Sequence, residues 1–208
     1  TPDAAHTYRN IGLIYNYNLG DNEKALVNYT KSIEVDPEDS YSYEARGDFY
    51  RDYLGDNEKA LADYNKGLEM DPDDASLYYE IGYMYTDLGV YDLALQYLLK
   101  VVDLDPNYEN ANNLIGYIYR NTFNQYENAI EYYTKEIEIT PNAAHTYRGI
   151  ASIYAENLED NEKALVNYTK SIEAQPDNAL SYEKRGDFYK DYLEDNDKAL
   201  ADYNKGLE

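Results

Sequence analysis

The sequence predicts an all-α fold, a right-handed superhelical solenoid of six helix-turn-helix units, on three observations. All six prolines stand on one ruler, at Pro2, Pro37, Pro72, Pro106, Pro141 and Pro176, with gaps of 35, 35, 34, 35 and 35 residues. Each interval is free of the residue that most damages a helix interior, and its apolar residues recur at helical spacing. A small residue also recurs in each half of the interval: Gly12, Gly47, Gly82, Gly116, Ala151 and Gly186 in the first, alanine at 25, 60, 94, 129, 164 and 199 in the second. A fixed period of this length marks a stacked repeat, in which no unit buries its own apolar stripe and neighbours supply the interior.

The first unit, residues 2–36, shows how each element is read. Tyr8, Ile11 and Tyr15 lie at i, i+3 and i+7 with Gly12 on the same stripe, so this stretch is one amphipathic helix. Asn18-Leu19-Gly20-Asp21 breaks it. Ala25, Tyr29 and Ser32 begin a second stripe, with Leu26 and Ile33 beside them, and Asp21 or Asn22 can cap that helix by accepting from an orphan backbone N–H. Units 37–71, 72–105, 106–140, 141–175 and 176–208 repeat the scheme, so 1–208 is read as a single array. The five longer units carry one extra residue in or beside the turn, which lengthens the bend without disturbing the stack. The fourth departs most. Asn112 stands where the first aromatic belongs and Glu136 where a small residue is usual, which marks that unit for looser packing or a special contact.

In the third unit Tyr78, Ile81, Gly82 and Tyr85 form the first-helix pattern, Gly89 marks the turn, Ala94, Leu98 and Val101 follow, and Pro106 closes. On these residues the chain resembles the tetratricopeptide repeat family over essentially its whole length. The resemblance implies a non-enzymatic role in protein binding or assembly, with first helices lining a concave surface that grips a partner. On that surface Arg9, Leu13, Tyr41, Glu44, Asp48, Tyr79, Tyr83, Tyr117 and Arg148 are the binding candidates. Members that clamp a chaperone's C-terminal carboxylate use Lys and Asn on successive first helices. The acidic and aromatic faces of this chain disfavour that ligand and favour a basic or aromatic-bearing protein segment.

Composition excludes several classes of function. Lys and Arg number 18 against 41 Asp and Glu, a net charge of −23 that repels phosphate and argues against nucleic acid as a partner. No Cys is present, which removes thiolate ligands and thiol nucleophiles. His6 and His145 are copies of one another without a clustered partner, so no metal site is expected. Asp71-Pro72-Asp73-Asp74 lacks the alternating ligands and central glycine of a calcium loop and is read as ending one helix and capping the next. No catalytic triad or phosphate-gripping loop stands out, so neither a cofactor nor catalysis is expected. No apolar run approaches the length of a membrane span, and membrane insertion is not expected. A cytoplasmic and an extracellular setting both stay open.

Tyrosine dominates the aromatics, 28 against three Phe and no Trp. Most fall on three recurring stripe positions and are read as core, with hydroxyls reaching the edge. Arg46 and Arg185 stand where Ile11, Ile81, Ile115 and Ile150 fill other units. Opposite them, Asp63 and Asp202 replace Asn28, Tyr97, Tyr132 and Asn167. A lone buried guanidinium is costly, so ion pairs Arg46–Asp63 and Arg185–Asp202 are expected. Arg46-Gly47-Asp48 and its copy spell an integrin-binding tripeptide, but their glycine is the helix-crossing one, which removes the exposed loop that adhesion needs. The sequons at Asn28 and Asn167 leave two readings, chance within a packing motif or glycan attachment in a secreted array.

A longer period is superimposed on the shorter one. Residues 2–36 match 141–175 at 26 of 35 positions, and 37–69 match 176–208 at 25 of 33, both at an offset of 139 residues or four units. The chain is therefore read as a section of a longer covalent array that scaffolds other proteins or self-assembles. The alternatives are a structural subunit of an extracellular filament and a discrete adaptor with a peptide in its concave groove.

Overall fold

The computed structural model of the chain describes residues 2–208, and among them it contains helices and turns but no strand. The chain divides into two compact units, Thr1–Asp105 and Pro106–Glu208. The division falls at a proline of the ruler, between the third and fourth repeats. In the first unit α1 (Pro2–Leu13) pairs with α2 (Asn22–Val35), α3 (Ser40–Phe49) with α4 (Asn57–Met70), and α5 (Ala75–Asp87) with α6 (Tyr91–Leu104). In the second, α7 (Ala111–Asn121) pairs with α8 (Tyr126–Ile139), α9 (Ala144–Glu156) with α10 (Asn161–Ala174), and α11 (Ala179–Tyr192) with α12 (Asn196–Gly206). The all-α hairpin repeat read from the sequence is the fold found.

Each hairpin closes in the same way. One turn residue adopts the left-handed conformation: Gly20, Gly55, Gly89, Asn124, Glu159 and Glu194, at φ of 63°, 63°, 72°, 53°, 52° and 55°. The N–H of the next residue then donates to the carbonyl of the second-stripe tyrosine, as in Asp21 to Tyr15 at 2.8 Å and Asp195 to Tyr189 at 2.9 Å. Asp21, Asp56, Asp160 and Asp195 cap the second helices by accepting from the N–H three residues on. The lysine at that position returns to the same carboxylate at 2.5–2.9 Å. Its ammonium lies 5.1–5.3 Å from the Tyr15, Tyr50, Tyr154 or Tyr189 ring. Asp74 caps α5 by accepting from the Ser76 and Leu77 N–H groups.

The extra residue of the longer repeats is not always in the bend. In the first two hairpins it widens the last turn of the first helix into π-helical stretches, Ile14–Asn18 and Tyr50–Leu54. In the fourth and fifth the connecting loop takes it up, and in the sixth the first helix runs one residue further, to Tyr192.

Helices of a hairpin meet at the small residue of the first. A Cβ on Gly47 would lie 2.6 Å from the Tyr64 ring, and one on Gly12, Gly116 or Gly186 would lie 2.7–2.8 Å from Tyr29, Tyr133 or Tyr203. The glycine therefore faces the third-stripe tyrosine as well as the flat alanine of the second helix. That ring also joins one hairpin to the next. Tyr29 packs on Phe49 with centroids 5.4 Å apart, and Tyr168 on Phe188 at 5.3 Å. Tyr64 lies in one cluster with Leu77, Ile81 and Met84 of the following hairpin, and Tyr133 with Ile150 and Ile153. Most tyrosines of the first two stripes, such as Tyr8 and Tyr15, are half-buried edge residues instead, while Tyr43 is buried.

The irregular fourth repeat makes a special contact. Glu136 is fully buried, and its carboxylate accepts from the Asn110 and Asn113 N–H groups at 3.2 and 3.3 Å, closing the N-terminus of α7. Burial raises its pKa, and the two amide donors offset part of that rise.

Glycine is the residue suited to the left-handed turn, and a side chain there costs about 1 kcal/mol. Glu159→Gly combined with Glu194→Gly should therefore raise stability by about 1–2 kcal/mol in urea unfolding at unchanged m-value. Unchanged or lowered stability would show that these turns carry no strain.

Candidate functional site

The sequence-derived binding candidates gather on the first helices. In the Thr1–Asp105 unit α1 touches α3, and a 270 Å³ cavity opens between them, lined by His6, Arg9, Leu13, Tyr41, Glu44 and Asp48. Tyr41 is 61% exposed on its rim. Arg9 is committed to the stack, since its guanidinium pairs with Asp39, donates to the Ser42 hydroxyl at 3.1 Å and lies 5.9 Å from the Tyr41 ring. The face continues from α3 to α5. Glu44 accepts from the Ser76 hydroxyl at 2.6 Å, and Asp48 from the Tyr64 hydroxyl at 2.7 Å. Arg51 ion-pairs with Glu80 and lies 5.8 Å from the ring of exposed Tyr83, which stacks on Tyr79 at 6.4 Å.

Three partly buried carboxylates therefore crowd one face. Burial pushes the Glu44 carboxyl up to about 7, opposed by the Ser76 hydroxyl and reinforced by repulsion from Asp48, Asp74 and Glu80. Burial also raises Asp48, against the pull of Tyr64 and Arg51, and raises Glu80, against Arg51. Desolvated carboxylates that repel one another are costly to hold, and such costs concentrate where a ligand repays them. The arrangement can accept an ammonium or guanidinium group, with tyrosine rings to cover its stem.

The Pro106–Glu208 unit carries a diluted version. Arg148 donates to the Ser181 hydroxyl at 2.8 Å, and Asn178 replaces the aspartate that Arg9 meets. Leu180 stands at the place of Tyr41, and Lys190 at that of Arg51. Tyr117 is 45% exposed on α7.

Sequence reasoning placed Glu80 on this face but missed Ser76 and Arg51 as members of it. A signal for Arg51 was present: it follows Asp48 by three residues and so shares its side of the helix.

The Arg46 guanidinium donates from Nε and Nη2 to the two Asp63 oxygens, both at 2.7 Å, and from Nη1 to the Thr30 hydroxyl of the preceding hairpin at 3.4 Å. Arg185 makes the same fork with Asp202 at 2.7 Å and reaches Thr169 at 3.2 Å. Asn28 is buried, and its Nδ2, the atom a glycan would occupy, donates to the Lys24 carbonyl at 2.8 Å. The half-buried Asn167 donates likewise to Lys163 at 2.9 Å. Among the described residues no helix is long and apolar enough to cross a membrane.

The tetratricopeptide repeat family description matches residues 5–39, 75–108, 109–143 and 144–178, and the related TPR repeat description matches 53–89. No curated protein matches the chain. Among solved structures, PilF of Pseudomonas aeruginosa is similar at 23% identity and a TM-score of 0.79, over 96% of this chain and 89% of that one. MamA of Desulfovibrio magneticus RS-1 is similar at 21% identity and 0.70, over 81% and 93%. YrrB, described as a TPR protein with an unusual peptide-binding site, is similar at 24% identity and 0.67, over 86% and 90%.

Two stability measurements follow from this geometry. Asp63→Ala strands a partly buried guanidinium and should cost about 3 kcal/mol in urea unfolding. Arg46→Ile with Asp63→Asn, which restores the Ile11 and Asn28 pairing of the first hairpin, should cost less than half as much. An equal loss in both would deny that the stranded charge is the cause.

The second measurement concerns Glu44. A carboxyl raised in the folded state favours folding fully below its unfolded pKa near 4.5, and that advantage disappears as pH climbs towards about 7. Glu44→Gln should remove a stability decline of about 1–3 kcal/mol between pH 4.5 and 7.5. A variant with the same pH slope as the parent would remove Glu44 as the source.

Proposed function

Because the chain belongs to the tetratricopeptide repeat family, we propose that it is a non-enzymatic scaffold, and that the first-helix face of the Thr1–Asp105 unit binds a basic, aromatic-bearing segment of another protein. The observation that carries the reading is the Glu44, Asp48 and Glu80 cluster held beside exposed Tyr41 and Tyr83. A partner's lysine or arginine would relieve the mutual repulsion of these groups, and its apolar stem or an aromatic neighbour would lie on the tyrosines. The net charge of −23 steers a basic segment toward this chain over longer distances. Peptide binding, stated in the description of YrrB, is the kind of role carried over here. The 139-residue offset between like units supports a scaffold built as part of a longer array.

Binding of lysine- and arginine-rich, tyrosine-bearing peptides, followed by fluorescence anisotropy, tests the reading. Affinity should rise several-fold from pH 6 to pH 8 as Glu44 ionises, and fall at least tenfold in Glu44→Gln with Asp48→Asn. Glu183→Gln with Asp187→Asn at the equivalent places of the other unit should have little effect. Equal loss from both pairs, or loss with Tyr41→Ala and Tyr83→Ala but none with the carboxamides, would sink the acidic part of the proposal.

A further inference from the structure

Residues 176–208 repeat 37–69 at 25 of 33 positions, and one of the differences falls inside the acidic face. Glu44 and Asp48 have Glu183 and Asp187 as counterparts. Tyr203 donates to Asp187 Oδ1 at 2.9 Å, as Tyr64 does to Asp48 Oδ1 at 2.7 Å. Beside the two carboxylates of the copy, however, stands Lys184, where the first unit has Ala45. The Lys184 ammonium lies 3.2 Å from Asp187 Oδ2 and 3.4 Å from Glu183 Oε1. The copy thus seats a lysine of its own chain across both groups.

In the Thr1–Asp105 unit no lysine among the described residues reaches the corresponding pair. Glu44 Oε1 accepts from Ser76. Asp48 Oδ1 accepts from Tyr64 and lies 3.5 Å from Arg51. Glu44 Oε2 and Asp48 Oδ2 have no partner among the described residues, and the two side chains stand one helical turn apart on α3. The 270 Å³ cavity lies against them, with Leu13, Tyr41 and Ala45 in its lining. Both its walls, α1 and α3, belong to the one unit.

On the reading of this face as a binding surface, we propose that the cavity seats a lysine side chain of a partner polypeptide, held as the copy holds Lys184. The ammonium bridges Glu44 Oε2 and Asp48 Oδ2, and its four-carbon stem lies between Leu13 and Tyr41. Arginine fits less well. Its planar fork matches the two oxygens of one carboxylate, and here each carboxylate has already given one oxygen to a hydroxyl. The chain's own forks, Arg46 on Asp63 and Arg185 on Asp202, each take both oxygens of a single aspartate. A compact ammonium with three rotatable donors suits two separate oxygens instead.

Fluorescence anisotropy of the full chain with a labelled, tyrosine-bearing peptide tests the seat. The peptide is made in two forms, with every basic residue lysine or every basic residue arginine. The lysine form should bind about fivefold tighter, or more. Ala45→Lys places in the first unit the residue that the copy already carries at this helix position, so the helical signal should be retained. It should weaken the lysine form by about tenfold while leaving every carboxylate in place. Val27→Lys adds the same charge at an exposed site on α2 and should leave the affinity near that of the parent. Equal affinity for the two forms would leave the basic-segment reading standing and overturn the lysine seat. Undiminished binding in Ala45→Lys, or an equal loss in Val27→Lys, would overturn it as well. If neither form binds the parent chain, the reading of the face fails and the seat fails with it.

Discussion

The structure depends on one close approach: a first-helix residue with little or no side chain set against a second-helix tyrosine ring. Gly12 with Tyr29, Gly47 with Tyr64, Gly116 with Tyr133 and Gly186 with Tyr203 bring paired backbones near enough for the ring to pass between hairpins. The ring then becomes interior for the next hairpin, where Phe49, Leu77, Ile150 or Phe188 meets it. A two-helix unit has too little surface to bury a stripe alone, so the contact that forms the hairpin also creates the need for a neighbour. The fifth hairpin shows the tolerance of the device, since Ala151 takes the glycine's place and remains buried in the Tyr168 cluster.

Polar chemistry then separates repeats that packing leaves alike. In the first unit, arginines and carboxylates bridge successive first helices: Arg9 to Asp39, Glu44 to Ser76 and Arg51 to Glu80. These bridges leave three desolvated carboxylates on one face with a single arginine shared between two of them. Repulsion of that kind is the opposite of what stability alone would select, and it is the ground on which we propose this face as a binding surface. In the second unit Leu180, Lys190 and Asn178 break the pattern, although most of the surrounding sequence is unchanged.

Glu136 illustrates a different exchange. Where most other repeats keep Ser or Gly, this carboxylate fills the space and caps α7, whose N-terminus follows Asn110 in the left-handed conformation. A buried charge is held by two backbone amides and the positive end of the helix. The repeat thus stays packed with an unusual residue at its joint.

Period, hairpin order, turn positions and the Arg46 and Arg185 anomalies are legible from residue spacing, because each depends on neighbours one helical turn or one repeat away. The sequence also identifies Glu44, Asp48, Tyr41 and Tyr83 as residues of one face. It does not distinguish Arg9, bound into the stack, from the exposed Tyr41, since both occupy the same side of a helix. Nor does it divide the extra residue between a π-helical turn and a loop, because both satisfy the same local pattern. Sequence by itself determined the repeat and its glycine crossings, which are local requirements of helix pairing. Only tertiary structure decided which carboxylates lose their water and which tyrosines are interior, because burial is a property of what lies opposite.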